Sequence, residues 1–297
     1  MNHLTLKMNR LISLISLLLI SAVRLSAQEM SISKLQTLPD LGAAQGVTKI
    51  ADQVYIYGDR EVGMMKSYSL NDSLVYTGQE FLFTVDGKDL INHPTGIAYA
   101  EGSPTFIGNS IRLNTEGTLW KAVIYAIDWE GFLKTKTLDG NLLATIEDDA
   151  CIQGTRPEYV SYKGKMLVAT SDYGPSLNEV RLYDPEKLIH AQKSSDRGVM
   201  VGKFTCSPWV QNLHWIADEG ILVLIQNQIE GKLWRLTFLD FEASIKAGKE
   251  VVLKQIDLDR KDELEGFCLL NTSLGLAVSS SRTQNAALIN IPQLLKF

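Results

Sequence analysis

The chain is expected to fold as an all-β, five-bladed β-propeller, and three observations carry that expectation. A short run in which a polar residue opens an apolar strand occurs five times: Ala44-Gln45-Gly46-Val47, Pro94-Thr95-Gly96-Ile97, Thr155-Arg156-Pro157-Glu158-Tyr159-Val160, Gln211-Asn212-Leu213-His214 and Leu264-Glu265-Gly266-Phe267. The openers Gln45, Thr95, Glu158, Asn212 and Glu265 stand 50, 63, 54 and 53 residues apart, which is the interval of propeller blades. A second polar column, Asp59, Asn109, Asp172, Asn227 and Ser279, follows the openers by 14 or 15 residues. Five blades fit better than the six-bladed alternative, because a sixth would have to come from the short segment before Asp40.

Residues 1–27 read as a cleaved export signal. Lys7 and Arg10 precede the uncharged run Leu11 to Val23, and Leu25-Ser26-Ala27 closes it. The run is shorter than the roughly 20 residues of a spanning helix, and no second apolar span of that length follows. The mature chain, 28–297, is therefore expected to be a single exported, monomeric domain, periplasmic or secreted, that does not span a membrane.

Ser31 to Leu38 alternates apolar and polar residues, as an edge strand does. Val54 to Tyr57, Met64 to Leu70 and Leu74 to Phe83 are rich in β-branched and aromatic residues and are broken at Gly58, Gly63 and Asn71-Asp72. With the opener strand they make one blade. The second blade offers Ile97 to Ala100, Thr105 to Ile107 and Leu119 to Trp129, with Asn109 to Thr118 as a long insertion of the kind that is often functional. The third offers Tyr159 to Tyr162, Lys165 to Thr170 and Glu179 to Tyr183, and the fourth runs from Leu213 through Ile221–Ile225 and Lys232 to Leu239. Pro185 to Ser194 and Asp240 to Glu250 have a helical alternative. The fifth blade has three strands only, from Phe267 to Ile291. Ser31 to Leu38 is expected to supply its fourth and so close the ring, which removes exposed sheet edges.

Once Lys7, Arg10 and Arg24 are set aside, 26 basic residues face 34 acidic ones with no basic stripe. Nucleic-acid binding, which needs clustered cations, is set aside on that ground. No dinucleotide fingerprint or phosphate-binding glycine loop occurs, so no nucleotide cofactor is expected. Cys151 and Cys206 fall in equivalent loops of consecutive blades and are expected to approach each other, either bridged or as free thiols, while Cys268 is expected to be buried and free.

Both polar columns should open on one face, around the central channel. Glu158, Asn212 and Glu265 are the candidate ligands of a divalent cation, Ca2+ or Mg2+, since hard cations take oxygen ligands. The same oxygens would equally serve to hydrate strand ends. Gln45, Asp59, His93, Asn109, Arg156, Asp172 and Asn227 are the candidate ligand-binding residues. Arg156 either pairs with Glu158 or anchors an anionic group, and His93, with Glu158, is a candidate catalytic group. Tyr99, Trp120, Trp129, Tyr173, Trp209 and Trp215 are aromatic enough to stack on sugars, although most should be core.

The openers, the hairpin punctuation and closing turns such as Leu182-Tyr183-Asp184-Pro185 resemble exported propellers of the regucalcin-like gluconolactonase and lactonase-like type. That resemblance implies a divalent cation held by Glu, Asn and Asp from separate blades, similar to Glu158 and Asn212. Glu265 stands where the lactonase pattern has aspartate, and those enzymes have six blades. The function expected is binding of a small ligand or glycan at a polar mouth, possible cation included, with a metal-dependent lactone or ester hydrolase as the alternative.

Overall fold

The structure, a computed structural model, describes residues 30–151 and 153–291. The expected export signal lies outside the described residues. Five four-stranded antiparallel sheets form the blades of a ring. Blade one is β2 (Ala44–Ile50), β3 (Gln53–Asp59), β4 (Gly63–Leu70) and β5 (Leu74–Leu82), followed by the small pair β6 (Thr84–Val85) and β7 (Lys88–Asp89). Blade two is β8 (Pro94–Ala98), β9 (Thr105–Arg112), β10 (Trp120–Ile127) and β11 (Leu142–Glu147). Blade three is β12 (Glu158–Tyr162), β13 (Lys165–Ser171), β14 (Glu179–Tyr183) and β15 (Met200–Thr205), and blade four is β16 (Val210–Ile216), β17 (Ile221–Gln226), β18 (Arg235–Asp240) and β19 (Val252–Asp257).

Blade five holds β20 (Leu264–Asn271), β21 (Leu274–Ser279) and β22 (Ala286–Asn290), and its outermost strand is β1 (Ser31–Gln36). β1 pairs antiparallel with β22, Ser31 opposite Asn290 and Gln36 opposite Ala286. The expected closure is therefore the observed one. Asn285 seals it: its Oδ1 accepts from the Leu38 amide at 2.7 Å and its Nδ2 donates to the Leu38 carbonyl at 2.9 Å.

The hydrophobic core is divided among the seams between blades. Strands such as β17, buried along all six residues, carry apolar side chains on both faces because each face meets a neighbouring blade. Val223 and Ile225 pack toward blade five, and Leu222 and Leu224 toward blade three. A mean of period two, with both phases apolar, is what burial on both faces requires.

Three outer strands, β11, β15 and β19, escaped the sequence reading, since none of them has more than one fully buried residue and so none shows a clear burial pattern. The connections before them hold short helices, Trp129–Thr135, Pro185–Leu188 and Phe241–Ala247. Each begins at an aspartate whose carboxylate accepts from first-turn amides: Asp128, Asp184 and Asp240. The expected insertion Asn109 to Thr118 is corrected: β9 continues to Arg112 and pairs with β10, so Asn109 sits in regular sheet and only the hairpin tip beyond it is loop.

These helical connections also clasp neighbouring blades. The ends of three outer strands hydrogen-bond to the connection of the next blade: Leu82 N to Lys136 O, Glu147 N to Gln192 O, and Thr205 N to Gly248 O. β1 does the same by side chain, with the Gln36 amide donating to and accepting from the Leu74 backbone.

A polar mouth pinned by its own loops

Four blades enter their first strand through a β-bulge, a single extra residue on one strand of a pair. The residues left out of register are Gln45, Thr95, Gln211 and Glu265. Three of them are expected openers. In blade four the column belongs to Gln211, and Asn212 stands one residue further on, in step with Gly46, Gly96 and Gly266. Blade three enters without a bulge, and Glu158 is the first residue of β12.

The channel is narrow enough that β16 reaches β8 across the ring. A Cβ on Gly266 would stand 2.7 Å from the Gly46 Cα, and one on Gly96 would stand 2.9 Å from Pro157 Cδ. The bare Gly46 backbone also lets the Tyr57 ring cross it toward the centre. There the Tyr57 hydroxyl accepts from Asn212 Nδ2 at 2.7 Å, and the same amide nitrogen donates to the Glu265 carbonyl at 3.3 Å. Asn212 Oδ1 accepts from the Leu213 amide at 2.9 Å. Asn212 thus ties three blades together.

Glu158, Glu265 and His214 are surrounded by protein, although Glu158 and His214 keep some surface open to the channel. Burial pushes both glutamic acids well above the usual carboxylate range, because an ionised carboxylate loses its hydration there. Burial also brings His214 down to about 4. Its Nε2 accepts from the Leu269 amide at 3.2 Å, so the neutral ring carries its proton on Nδ1. Burial, and the charges of Glu158 and Glu265 beside it, hold the Tyr57 phenol above its ordinary value.

The second column holds loops in place. Asp59 Oδ1 accepts from the Ala43 amide at 3.0 Å, Asn109 Oδ1 from His93 at 3.0 Å and Asp172 Oδ1 from Gln153 at 2.8 Å. In blade four the Asn227 amide donates to the Trp209 carbonyl at 3.1 Å, and in blade five the Ser279 hydroxyl donates to Asp262 at 2.5 Å. The near-constant spacing of the two columns is thus the register of each first hairpin, whose open end is stapled by a polar side chain or amide.

At the rim, Asp59 Oδ2 lies 3.2 Å from Gln45 Nε2 and 3.2 Å from His93 Nδ1. Arg156 does not pair with Glu158. It crosses from blade three to blade four, Nε donating to the Gln211 carbonyl at 3.3 Å and Nη1 to the Gln153 carbonyl at 3.3 Å. Its guanidinium carbon lies 5.3 Å from the centre of the Tyr173 ring, a cation–π distance. Burial lowers its pKa, and the charges of Asp172 and Glu265 oppose that.

Of the other aromatic candidates, Trp129 is core and packs against Tyr55, Tyr99 and Phe132, Trp120 lies over Arg112, and Trp215 meets Phe241. Only Tyr173 and Trp209 among them face the mouth. The three cysteines are free, which decides between the two alternatives left open for Cys151 and Cys206. Cys151 Sγ lies 3.1 Å from Asp148 Oδ2 and 3.1 Å from Arg181 Nη1, while Cys206 faces Ser171, so each thiol has its own polar partners within its seam. Cys268 is buried, as expected. Among the described residues, no three or more His, Cys, Asp or Glu side chains are gathered closely enough to hold a metal ion.

Two clefts lie on the opposite face, one between blades two and three and one within blade two. One, of about 740 Å3, is lined by Ser103, Lys165, Met166 and His190, and the other, of about 710 Å3, by Tyr99, Glu101, Trp129 and Leu143. They are open grooves around the turn that carries Pro104, far from both polar columns.

No protein family matches the chain, and no curated protein does. Among solved structures, it is similar to the Cps50 (Swd1) β-propeller domain of Myceliophteria thermophila, at 8% identity and a TM-score of 0.43 over 88% of this chain and 99% of that one. It is similar also to Kuenenia stuttgartiensis hydrazine synthase, at 12% identity and a TM-score of 0.42, covering 84% of this chain and 66% of that chain's length. The computationally designed Ika8 protein follows, at 9% identity and a TM-score of 0.37 over 86% and 98%. Superpositions this loose leave the five-bladed ring to rest on its own strand pairing.

Sequence reasoning found the openers and the staples and put His214 on the same face of its strand as Asn212, but missed the part played by Tyr57 and the extrusion of Gln211. A glycine directly opposite a tyrosine, Gly46 facing Tyr57 in the hairpin, was the available signal for the first, because a ring needs bare backbone to cross a strand.

Proposed function

We propose that this chain is an exported binding propeller that takes a small, oxygen-rich ligand, such as a sugar acid or glycan fragment, at its polar mouth, without chemistry of its own. The observation that supports this most is Arg156. It is a buried guanidinium whose Nε and Nη1 donate to two carbonyls across the seam of blades three and four. A guanidinium fork so placed favours a ligand carboxylate or hydroxyl that accepts from its other N–H groups. Around it burial raises the pKa of Glu158 and Glu265, which favours the protonated, donating form of both carboxyls. Calorimetric titration of the mature chain with a panel of sugar acids and their neutral parent sugars tests this. Binding that weakens at least about tenfold in Arg156→Gln supports the reading, and equal affinity in that variant defeats it.

The hydrolase reading is kept for one observation, the Asp59–His93 contact, which would orient a ring nitrogen toward the rim as a general base. A divalent cation at Glu158, Asn212 and Glu265 belongs to that reading. It would require both carboxyls to ionise and the Asn212 oxygen to leave the Leu213 amide. Metal analysis of the purified protein, with lactone and ester turnover measured in wild type and Glu158→Gln/Glu265→Gln, separates the two readings.

A further inference from the structure

One corner of the mouth, where the loops of blades three, four and five meet, is built differently from the rest. Tyr173 and Trp209 stand edge to face, ring centres 5.1 Å apart, and both are half-buried. The Tyr173 hydroxyl donates to Asn227 Oδ1 at 3.2 Å and accepts from Gln228 Nε2 at 2.9 Å, and that amide nitrogen also lies 3.3 Å from Glu263 Oε1. Trp209 is fixed on both sides, its amide donating to the Gly174 carbonyl at 3.0 Å and its carbonyl accepting from Asn227 at 3.1 Å.

Two further features single the corner out. Leu177, Trp209, Gln228 and Glu230 all hold left-handed backbone, with φ of 61°, 60°, 55° and 50°, a conformation that is uncomfortable for side-chain-bearing residues and gathers at functional sites. Asn227 Nδ2 is buried with no partner among the described residues, an unusual cost in a native interior.

We propose that this corner is a subsite for one neutral pyranose ring, stacked on the Trp209–Tyr173 pair. A pyranose has a face of C–H groups and a rim of hydroxyls. The Trp209 ring offers an apolar wall to the face, and the Tyr173 ring, inclined at 62° to it and carrying Arg156, bounds that wall. The neighbouring Gln228 amide oxygen and Glu263 carboxylate offer adjacent acceptors to a vicinal pair of hydroxyls, and aromatic walls with a few placed polar groups are the usual make-up of a small-molecule site. The subsite rests on the mouth being a binding site, and it adds a ligand class that does not need the Arg156 charge.

Intrinsic tryptophan fluorescence and calorimetry with methyl glycosides of glucose, galactose, mannose and N-acetylglucosamine, together with the matching trisaccharides, test it on the full mature chain. At least one of these neutral probes should bind and perturb the fluorescence. Affinity should fall at least about tenfold in Trp209→Ala and in the exposed variant Gln228→Ala. Circular dichroism of Trp209→Ala checks its fold, and Gln228→Ala carries the test if that variant is misfolded. Absence of binding by every neutral probe, or binding unchanged in both Trp209→Ala and Gln228→Ala, overturns the subsite. Sugar acids that still bind through Arg156 would in that case leave the broader reading of the mouth standing.

Discussion

Replacing Glu158 and Glu265 together by glutamine should change how stability depends on pH. Both carboxyls are raised by burial, so the folded state keeps protons that the unfolded chain releases above about pH 4.3. Their contribution is complete below that value and is lost as pH rises toward the folded-state pKa. Within this window each group lowers unfolding free energy by about 1.4 kcal/mol per pH unit, and the pair by about 2.7 kcal/mol per unit. Glutamine keeps the shape and a donor but does not titrate, so the variant should lack that decline. Urea unfolding from pH 5 to 8, read as the difference between wild type and variant, isolates it from all other groups. A difference that does not change with pH would mean both acids are ionised in the fold, and the description of a donor-rich mouth would be wrong. Excess Ca2+ that flattens the wild-type profile alone would instead favour the cation.

His214 works in the opposite direction. Its folded value near 4 lies below the usual 6.5, so its contribution is intact above pH 6.5 and is lost as pH falls toward 4; His214→Gln should remove up to about 1.4 kcal/mol per pH unit of acid sensitivity there. Gly266→Ala sets a Cβ against the Gly46 backbone and should cost about 1–3 kcal/mol as overpacking; an unchanged urea midpoint would mean that blades five and one can part without penalty. Asn285→Ala strips both partners from the Leu38 backbone and should cost about 1–3 kcal/mol, with hydrogen exchange rising along β1 first. Reductant should leave the melting temperature unchanged, and non-reducing peptide mapping should find Cys151, Cys206 and Cys268 unbridged, with Cys206, the half-buried thiol pushed up to about 12, labelled first.

What was legible in the chain was whatever repeats. The openers recur because four of the five blades turn a bulged residue into the mouth, and the staples recur because each first hairpin closes on the loop that feeds it. Ser31 to Leu38 was placed correctly because a three-stranded final blade leaves an edge to be filled. The register of blade four was off by one, since Gln211 and Asn212 are both polar and only the pairing of Val210 with Gln226 decides which is extruded. Outer strands such as Met200–Thr205 were hidden because their exposed faces carry no burial pattern. Equivalent loop positions made Cys151 and Cys206 candidates for each other but left open whether they bridge, because a place along the blade does not fix the direction of a side chain. The aromatic corner at Trp209 was one of several equal candidates until contacts between separate blades could be seen.

The pairing of β1 with β22 also sets an order of events. Residue 31 is made long before its partner near residue 290, so the ring cannot close until that last strand of blade five is present. Contacts of such long sequence separation form slowly, and the waiting strand is an unpaired edge for all that time. Its composition suits the wait: Ser31, Ser33, Lys34 and Gln36 make it polar and largely exposed even in the finished ring, and a polar, lysine-bearing edge recruits few wrong partners. A substitution such as Lys34→Val would therefore act on the yield of folded protein far more than on the stability of the molecules that succeed.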